Sequence, residues 1–306
     1  MQRTIVRRLL SVVPTLFLVV TIAFFMMRVA PGGPFNLERP LDPKVMENLQ
    51  RLYHLDDPVW RQYLDYLWSL AHGDLGPSFY WRDFTVGELF AKALPISAGL
   101  GAAALILALL AGVAAGAFAA QRHRGAADHA AMGVASVGVT IPSFVVAPLL
   151  QLIFGLSLKW LPVGGWGDGA PAFVILPIVT LALPQIAAIA RLTRAAMIEA
   201  LNSDAARTLR AYGMPRRILL KHALRAAMLP VVSYIGPAAA GLMTGSVVVE
   251  SIFGIPGVGR YFIDGALNRD YTLVMGAVIV IAFLIVALNL LVDLAYAFID
   301  PRVRHD

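Results

Sequence analysis

Six stretches of this chain run for nineteen residues or more without a single Asp, Glu, Lys, Arg or His: Leu9–Met27, Leu94–Ala120, Ala130–Leu158, Gly169–Ala190, Ala226–Val249 and Tyr271–Val292. A hydrocarbon core about 30 Å thick is crossed by about 20 apolar residues in a helix, which satisfies its own backbone donors and acceptors where no water can. The runs predict an all-α integral membrane protein with six transmembrane helices. Composition agrees, since 58% hydrophobic against 14% charged residues over 306 positions leaves too little polar surface for a water-soluble fold.

Arg3, Arg7 and Arg8 precede the first run and raise the alternative of a secretory signal. The run is longer than the usual 7–15-residue apolar core of such a signal and lacks an A-x-A-like site, so it reads as a span.

The bases then set an orientation. Segments on one side carry Arg3, Arg7, Arg8, Arg122, Arg124, eight bases from Arg191 to Arg225, Arg302 and Arg304, which makes fifteen. The two short loops on the other side carry only Lys159, Arg260 and Arg269. By the positive-inside rule both termini and the 191–228 segment are cytoplasmic. The net charge of +6 follows from this placement and asks for no nucleic acid.

The chain divides into a tail and first span (1–30), an external loop (31–93), a core of five helices (94–293) and a cytoplasmic tail (294–306). In the external loop, apolar groups recur at Trp60, Tyr63, Leu64, Leu67, Trp68 and Ala71 between Asp57-Pro58 and Gly73. That period predicts a capped amphipathic helix, a platform that braces the outer face or gates it. Gly112-x-x-x-Gly116 and Gly241-x-x-x-Gly245 predict close helix packing. Prolines at 14, 142, 148, 177, 184, 230 and 237 each permit a kink.

Much chemistry is excluded. Without cysteine there is no disulfide, thiolate metal site or thiol nucleophile. No G-x-x-x-x-G-K-[ST] loop or H-E-x-x-H pair occurs, and the six histidines lack metal-ligand spacing, so neither a catalytic centre nor a cofactor or metal site is expected. Ion-coupled carriers keep an ionisable group at membrane depth, whereas Arg28, Glu250 and Asp293 stand at span edges, where snorkelling or a helix-end salt bridge accounts for them. The energy for any transport has to come from another chain.

The segment from Arg191 to Met228 is the most unusual. Ser203 is placed to cap a helix with Asp204 in its first turn, Gly213 to end it in a left-handed conformation, and Pro215 to start a second short helix reaching Ala227. Two helices with an elbow are expected to project into the cytoplasm. The charge pattern alone also fits a basic segment resting on anionic headgroups.

The residues of this segment, Arg207-Thr208-Leu209-Arg210-Ala211-Tyr212-Gly213 with Ala223-Leu224-Arg225 beyond, resemble the loop by which permease subunits of ATP-binding-cassette importers dock on their ATPases. Phe24-Phe25-Met26-Met27-Arg28-Val29-Ala30-Pro31-Gly32, Gly73-Asp74-Leu75-Gly76-Pro77-Ser78-Phe79 and Ile141-Pro142-Ser143-Phe144 resemble the B-type permeases of oligopeptide importers, in the dipeptide/oligopeptide/nickel permease family. So do Glu250-Ser251-Ile252-Phe253-Gly254-Ile255-Pro256-Gly257-Val258-Gly259, Asn268-Arg269-Asp270-Tyr271 and Ile299-Asp300-Pro301-Arg302. The importer loop generally opens Glu-Ala-Ala, where this chain has Arg207-Thr208-Leu209. Peptide-type relatives commonly show alanine and lysine where Leu209 and Tyr212 stand.

The resemblance implies a type I importer permease fold in a bacterial inner membrane, forming half of an oligopeptide pathway. Its implied partners are a second, C-type permease, two ATP-binding subunits of D and F type that hold ATP and Mg, and an external peptide-binding protein. Asp204, Arg207, Thr208, Arg210, Ala211, Gly213 and Pro215 would then couple to the ATPases, with no residue assigned to the substrate pathway. Related cargoes are dipeptides, nickel complexes, glutathione and oligosaccharides. A self-sufficient ion-coupled carrier is the reading from another class.

Overall fold

The computed structural model describes residues 2–29, 56–81 and 83–299, with side chains described outside 2–9, 11, 244–245 and 292–299. Ala30-Pro31-Gly32, residues 33–55 and Asp300-Pro301-Arg302 lie outside the described residues. The rest is helical apart from turns and one isolated bridge between Pro77 and Thr85.

The helices are α1 (Gln2–Val29), α2 (Val59–Ala71), α3 (Val86–Gln121), α4 (Ala126–Thr140), α5 (Ser143–Leu150), α6 (Pro171–Asn202), α7 (Asp204–Ala211), α8 (Arg216–Phe253), α9 (Val258–Leu267) and α10 (Tyr271–Ile299). Among the described residues five are long and apolar enough to span a membrane: α1, α3, α6, α8 and α10. They match five of the six expected runs, with α6 beginning two residues inside Gly169–Ala190. The amphipathic helix expected after Asp57-Pro58 is α2, and it ends before Gly73 at φ 78°.

The sixth run, Ala130–Leu158, is not one straight span. It breaks into α4 and α5, the latter prolonged by a π-helical stretch over Gln151–Ser157, and the two pieces bend by 104°. Proline disfavours the helical region for the residue before it, and Ile141 before Pro142 is extended at φ −86°, ψ 120°. Counted as one broken span, it completes six.

A second correction falls on the loop after α6. The expected second short helix does not exist as a separate piece, since Arg216–Phe253 is one helix of 38 residues carrying both the basic segment and the next span. Pro215 fixes where it begins, and nothing between Leu220 and Ala227 interrupts it. Hydropathy changes at Ala226, but the helix does not.

The core lies between α3, α6 and α8, around Leu100, Ala104, Ala108, Leu181, Ala182, Ile189, Val231, Leu242 and Phe253, all buried. Gly112 and Gly116 make the α3–α6 approach possible. A Cβ at Gly112 would lie 2.8 Å from the Ile189 side chain, and one at Gly116 2.4 Å from the Ala190 carbonyl oxygen. Of the second glycine pair, Gly241 faces Gln185 Nε2 at 3.2 Å from its Cβ position, and the surroundings of Gly245 lie outside the described side chains. At the start of α3, Thr85 accepts from Glu88 N (3.2 Å) while the Glu88 carboxylate accepts from Thr85 N (2.9 Å), satisfying two otherwise orphaned donors.

The bundle has two unlike ends. One gathers residues 122–125 and 203–217 with their arginines. The other holds every tryptophan of the chain, at 60, 68, 81, 160 and 166.

Candidate coupling site

At the basic end, α7 stands out from the bundle as about two turns of mostly exposed helix. Ser203 takes extended backbone (φ −67°, ψ 159°), accepts from Ala206 N at 3.3 Å and donates to Ala200 O at 2.7 Å. It therefore closes α6 and opens α7 at once. Ala206 alone of the helix is buried, seating it on the bundle. Asp204 pairs with Arg207 at 3.1 Å, but both are mostly exposed, so the pair holds little energy and leaves its charges to solvent. Thr208 Oγ1 donates to Asp204 O at 3.0 Å. Arg210 turns back and donates to Leu201 O, tying α7 to the end of α6.

The exit is as defined as the entry. Gly213 N donates to Arg210 O (2.9 Å) and Met214 N to Leu209 O (3.1 Å), while Gly213 sits at φ 70°. That is a Schellman closure, and it needs a left-handed residue after the helix. Pro215 (φ −62°, ψ 146°) follows as the residue that opens α8. Tyr212 and Met214 are left exposed beside Arg207, Arg216 and Arg217. A cavity of about 370 Å³ lies between this turn and the bundle, lined by Gln121, Leu201, Arg210, Met214, Arg216 and Leu219 among others.

Every residue expected to couple, namely Asp204, Arg207, Thr208, Arg210, Ala211, Gly213 and Pro215, lies within this one projection. Thr208 and Arg210 turn toward its own backbone and that of α6, whereas Asp204 and Arg207 face outward.

Three carboxylates, at Asp128, Asp270 and Glu250, are buried in surroundings that the sequence does not reveal. Asp128, at the start of α4, receives Arg194 of α6 through two bonds (Nε–Oδ1 2.6 Å, NH2–Oδ2 2.7 Å) and Arg124 N at 2.9 Å, with His123 Nδ1 at 3.5 Å. This pair fixes α4 against α6 nine residues before Ser203, so it anchors the base of the projection. Asp270, buried before α10, accepts from Tyr80 N (3.0 Å), Thr272 Oγ1 (2.9 Å), Leu273 N (3.0 Å) and Ser78 Oγ (2.5 Å), clamping the segment that leads into α3.

Glu250 corrects an expectation. It neither snorkels nor forms a helix-end salt bridge, being fully buried with Oε2 accepting from Gly259 N at 2.8 Å. Its Oε1 has no partner among the described residues. A Cβ at Gly257 would lie 2.3 Å from Oε2, and one at Gly259 2.2 Å from Val247 Cα, so the Gly257-Val258-Gly259 turn fits only without side chains at its glycines. Arg28, the other edge residue, lies over the Phe24 ring at 4.9 Å and donates to Gln62 of α2. The Asp293 side chain lies outside the described ones. A charged residue at the edge of an apolar run was the available signal for Glu250; Asp128 and Asp270 gave none, because their partners stand 66 and 190 residues away.

The described residues thus form a helical membrane bundle with a capped helix projecting from its basic end. The chain belongs to the family described as binding-protein-dependent transport system inner membrane component, which it matches over residues 112–305, with the corresponding N-terminal component matched over residues 1–83. It is 54% identical over 306 residues, all of both chains, to the oligopeptide transport system permease protein OppB of Salmonella typhimurium and to that of Escherichia coli. It is also 40% identical over 305 residues to the dipeptide transport system permease protein DppB of Bacillus subtilis, covering 99% of this chain and 98% of that one. The fold is that of type I importer permeases, and the chain is a multi-pass membrane component of such a transporter.

Proposed function

We propose that this chain forms half of the membrane pathway of an ATP-driven importer of oligopeptides in a bacterial inner membrane. The observation that carries the cargo is the 54% identity, without gap in coverage, to permeases named for oligopeptides, against 40% to one named for dipeptides. A second permease completes the pathway, two ATPase subunits hold ATP and Mg, and an external binding protein delivers the peptide. Both termini and α7 face the cytoplasm, in keeping with the fifteen bases on that side.

In this reading α7 is the handle the ATPases grip. It offers Asp204 and Arg207 as exposed charges, and the turn after it offers Tyr212 and Met214 as exposed apolar contacts. Arg210, Ser203 and the Gly213 closure hold it at a fixed angle to α6 and α8, so movement of the ATPases turns the helices as rigid bodies and opens the pathway alternately to either side.

Gly213→Val tests the coupling. No atom lies within 4 Å of a Cβ at this position, so the substitution collides with nothing and acts through its φ of 70° alone. Left-handed backbone costs a residue with a side chain about 1–2 kcal/mol. The helix exit should therefore re-form at another angle, with spans and insertion intact but with ATPase capture and peptide uptake both reduced. A segment merely resting on headgroups would not notice the change, and normal capture with normal uptake would overturn the coupling role. Uptake of labelled peptides of graded length by the reconstituted importer tests the cargo separately.

A further inference from the structure

The helix α2 has more apolar surface than its packing on the bundle uses. Its inward side is held on α1: Tyr63 Oη and Thr21 Oγ1 are 2.7 Å apart, the Tyr63 ring lies 5.3 and 5.4 Å from Phe24 and Phe25, and Tyr66 lies 5.9 Å from Phe24. Burial pushes the Tyr66 phenol above its ordinary value. Arg61, Asp65 and His72 are exposed and fall together on a polar arc at 100° per residue. Between the two lies a third arc, Trp60, Leu64 and Trp68, spaced i, i+4, i+8 and 64%, 54% and 71% exposed.

The depth of this stripe follows from what α2 touches. Thr21 stands eight residues before Val29, about 12 Å along the helix at 1.5 Å per residue, inside the apolar window Val12–Val29 of α1. A helix that reaches Thr21 lies alongside the last turns of the span and does not stand above them. The flank of α1 beside it, Ile22, Phe25, Met26 and Val29, is itself exposed and apolar along the span, and Phe25 touches Tyr63. The stripe therefore continues an exposed apolar surface of the span itself. Tryptophans flanking a leucine, with charges on the neighbouring arc, form the pattern of a helix lying in the headgroup region.

We infer that α2 is an interfacial helix, immersed through Trp60, Leu64 and Trp68 in the lipid leaflet at the tryptophan end, so that the external segment is moored to the bilayer as well as to α1. This rests on the chain spanning a membrane and on neither its cargo nor its coupling.

The absence of cysteine makes the test direct. Leu64→Cys and Asp65→Cys, with Trp68→Cys as a second stripe position should Leu64→Cys fail to insert, are spin-labelled in the full-length chain. They are reconstituted in phosphatidylcholine–phosphatidylglycerol liposomes, alone and with the partner subunits. The stripe labels should collide with oxygen, avoid a water-soluble nickel chelate and read about 5–10 Å below the phosphates in both preparations. The label at 65 should show the opposite preference. A stripe label open to the nickel chelate, or shielded from both reagents once the partners are present, would overturn the inference, the second result assigning the stripe to a protein neighbour.

Discussion

Replacing Gly116 with alanine drives a methyl group into the closest contact between α3 and α6. The new carbon would sit 2.4 Å from the Ala190 carbonyl oxygen, 2.7 Å from Thr193 Cβ and 3.1 Å from Arg194 N, against ordinary contacts of 3.4–4 Å. Two of these neighbours are backbone, so no side chain can swing away and the helices must part by about 1 Å locally. Overpacking of this kind costs about 1–3 kcal/mol. Alanine also gains about 1 kcal/mol over glycine in helix propensity, which would blur the result if the variant were compared only with the parent. Gly99 removes that difficulty. It lies in the same helix, and nothing is within 4 Å of its Cβ position, so Gly99→Ala keeps the propensity gain and omits the collision. The difference between the two variants isolates the packing term at about 1–3 kcal/mol, with Gly116→Ala the less stable. Unfolding of the detergent-solubilised chain by SDS titration, followed by circular dichroism, measures it. Equal stability of the two variants, or greater stability of Gly116→Ala, would refute the close-approach argument.

Asp128→Ala strands the Arg194 guanidinium and should cost about 3 kcal/mol in the same titration, while Asp128→Ala with Arg194→Leu should recover more than half of it, as expected when the loss comes from an unpaired charge. Asp270→Asn exchanges an all-acceptor group for one bearing its own donors against Ser78 Oγ, Tyr80 N and Leu273 N, with an expected loss of about 1–3 kcal/mol. Protease cleavage near Trp81 should quicken in that variant. Single cysteines at Ser203 and at Tyr80 report orientation: an impermeant thiol reagent outside intact spheroplasts should label the second and spare the first.

The apolar runs made five spans legible because lipid imposes length and absence of charge directly on the chain. The cap at Ser203 and the left-handed exit at Gly213 were equally legible, since both are settled within about ten residues. The bend at Pro142 was hidden by a run whose hydropathy never falters; only its 29-residue length, against the roughly 20 a span requires, hinted at two pieces. At Ala226 the opposite holds, since the change from basic to apolar residues reads as a boundary while the helix runs on through it. Asp128 and Asp270 escaped because a buried carboxylate is defined by its donors, and those come from distant parts of the chain. Glu250 was visible as a residue but not as an environment.

The unbroken course of α8 has a consequence for how the two faces of the membrane communicate. Thirty-eight residues at 1.5 Å each make a shaft about 57 Å long, with the Gly213-Met214-Pro215 turn at one tip and Glu250 under the Gly257–Gly259 turn at the other. A shaft has a single phase, so rotating its lower tip changes the bearing of Glu250 by the same angle unless torsion is absorbed on the way. Pro230 and Pro237 are where it can be absorbed, since each deletes a backbone donor from the ladder. They lie two turns apart near the middle, which divides the helix into two stiff halves joined by a compliant sleeve. Under the coupling proposed above, a twist applied at the basic end reaches the tryptophan end only as far as that sleeve transmits it.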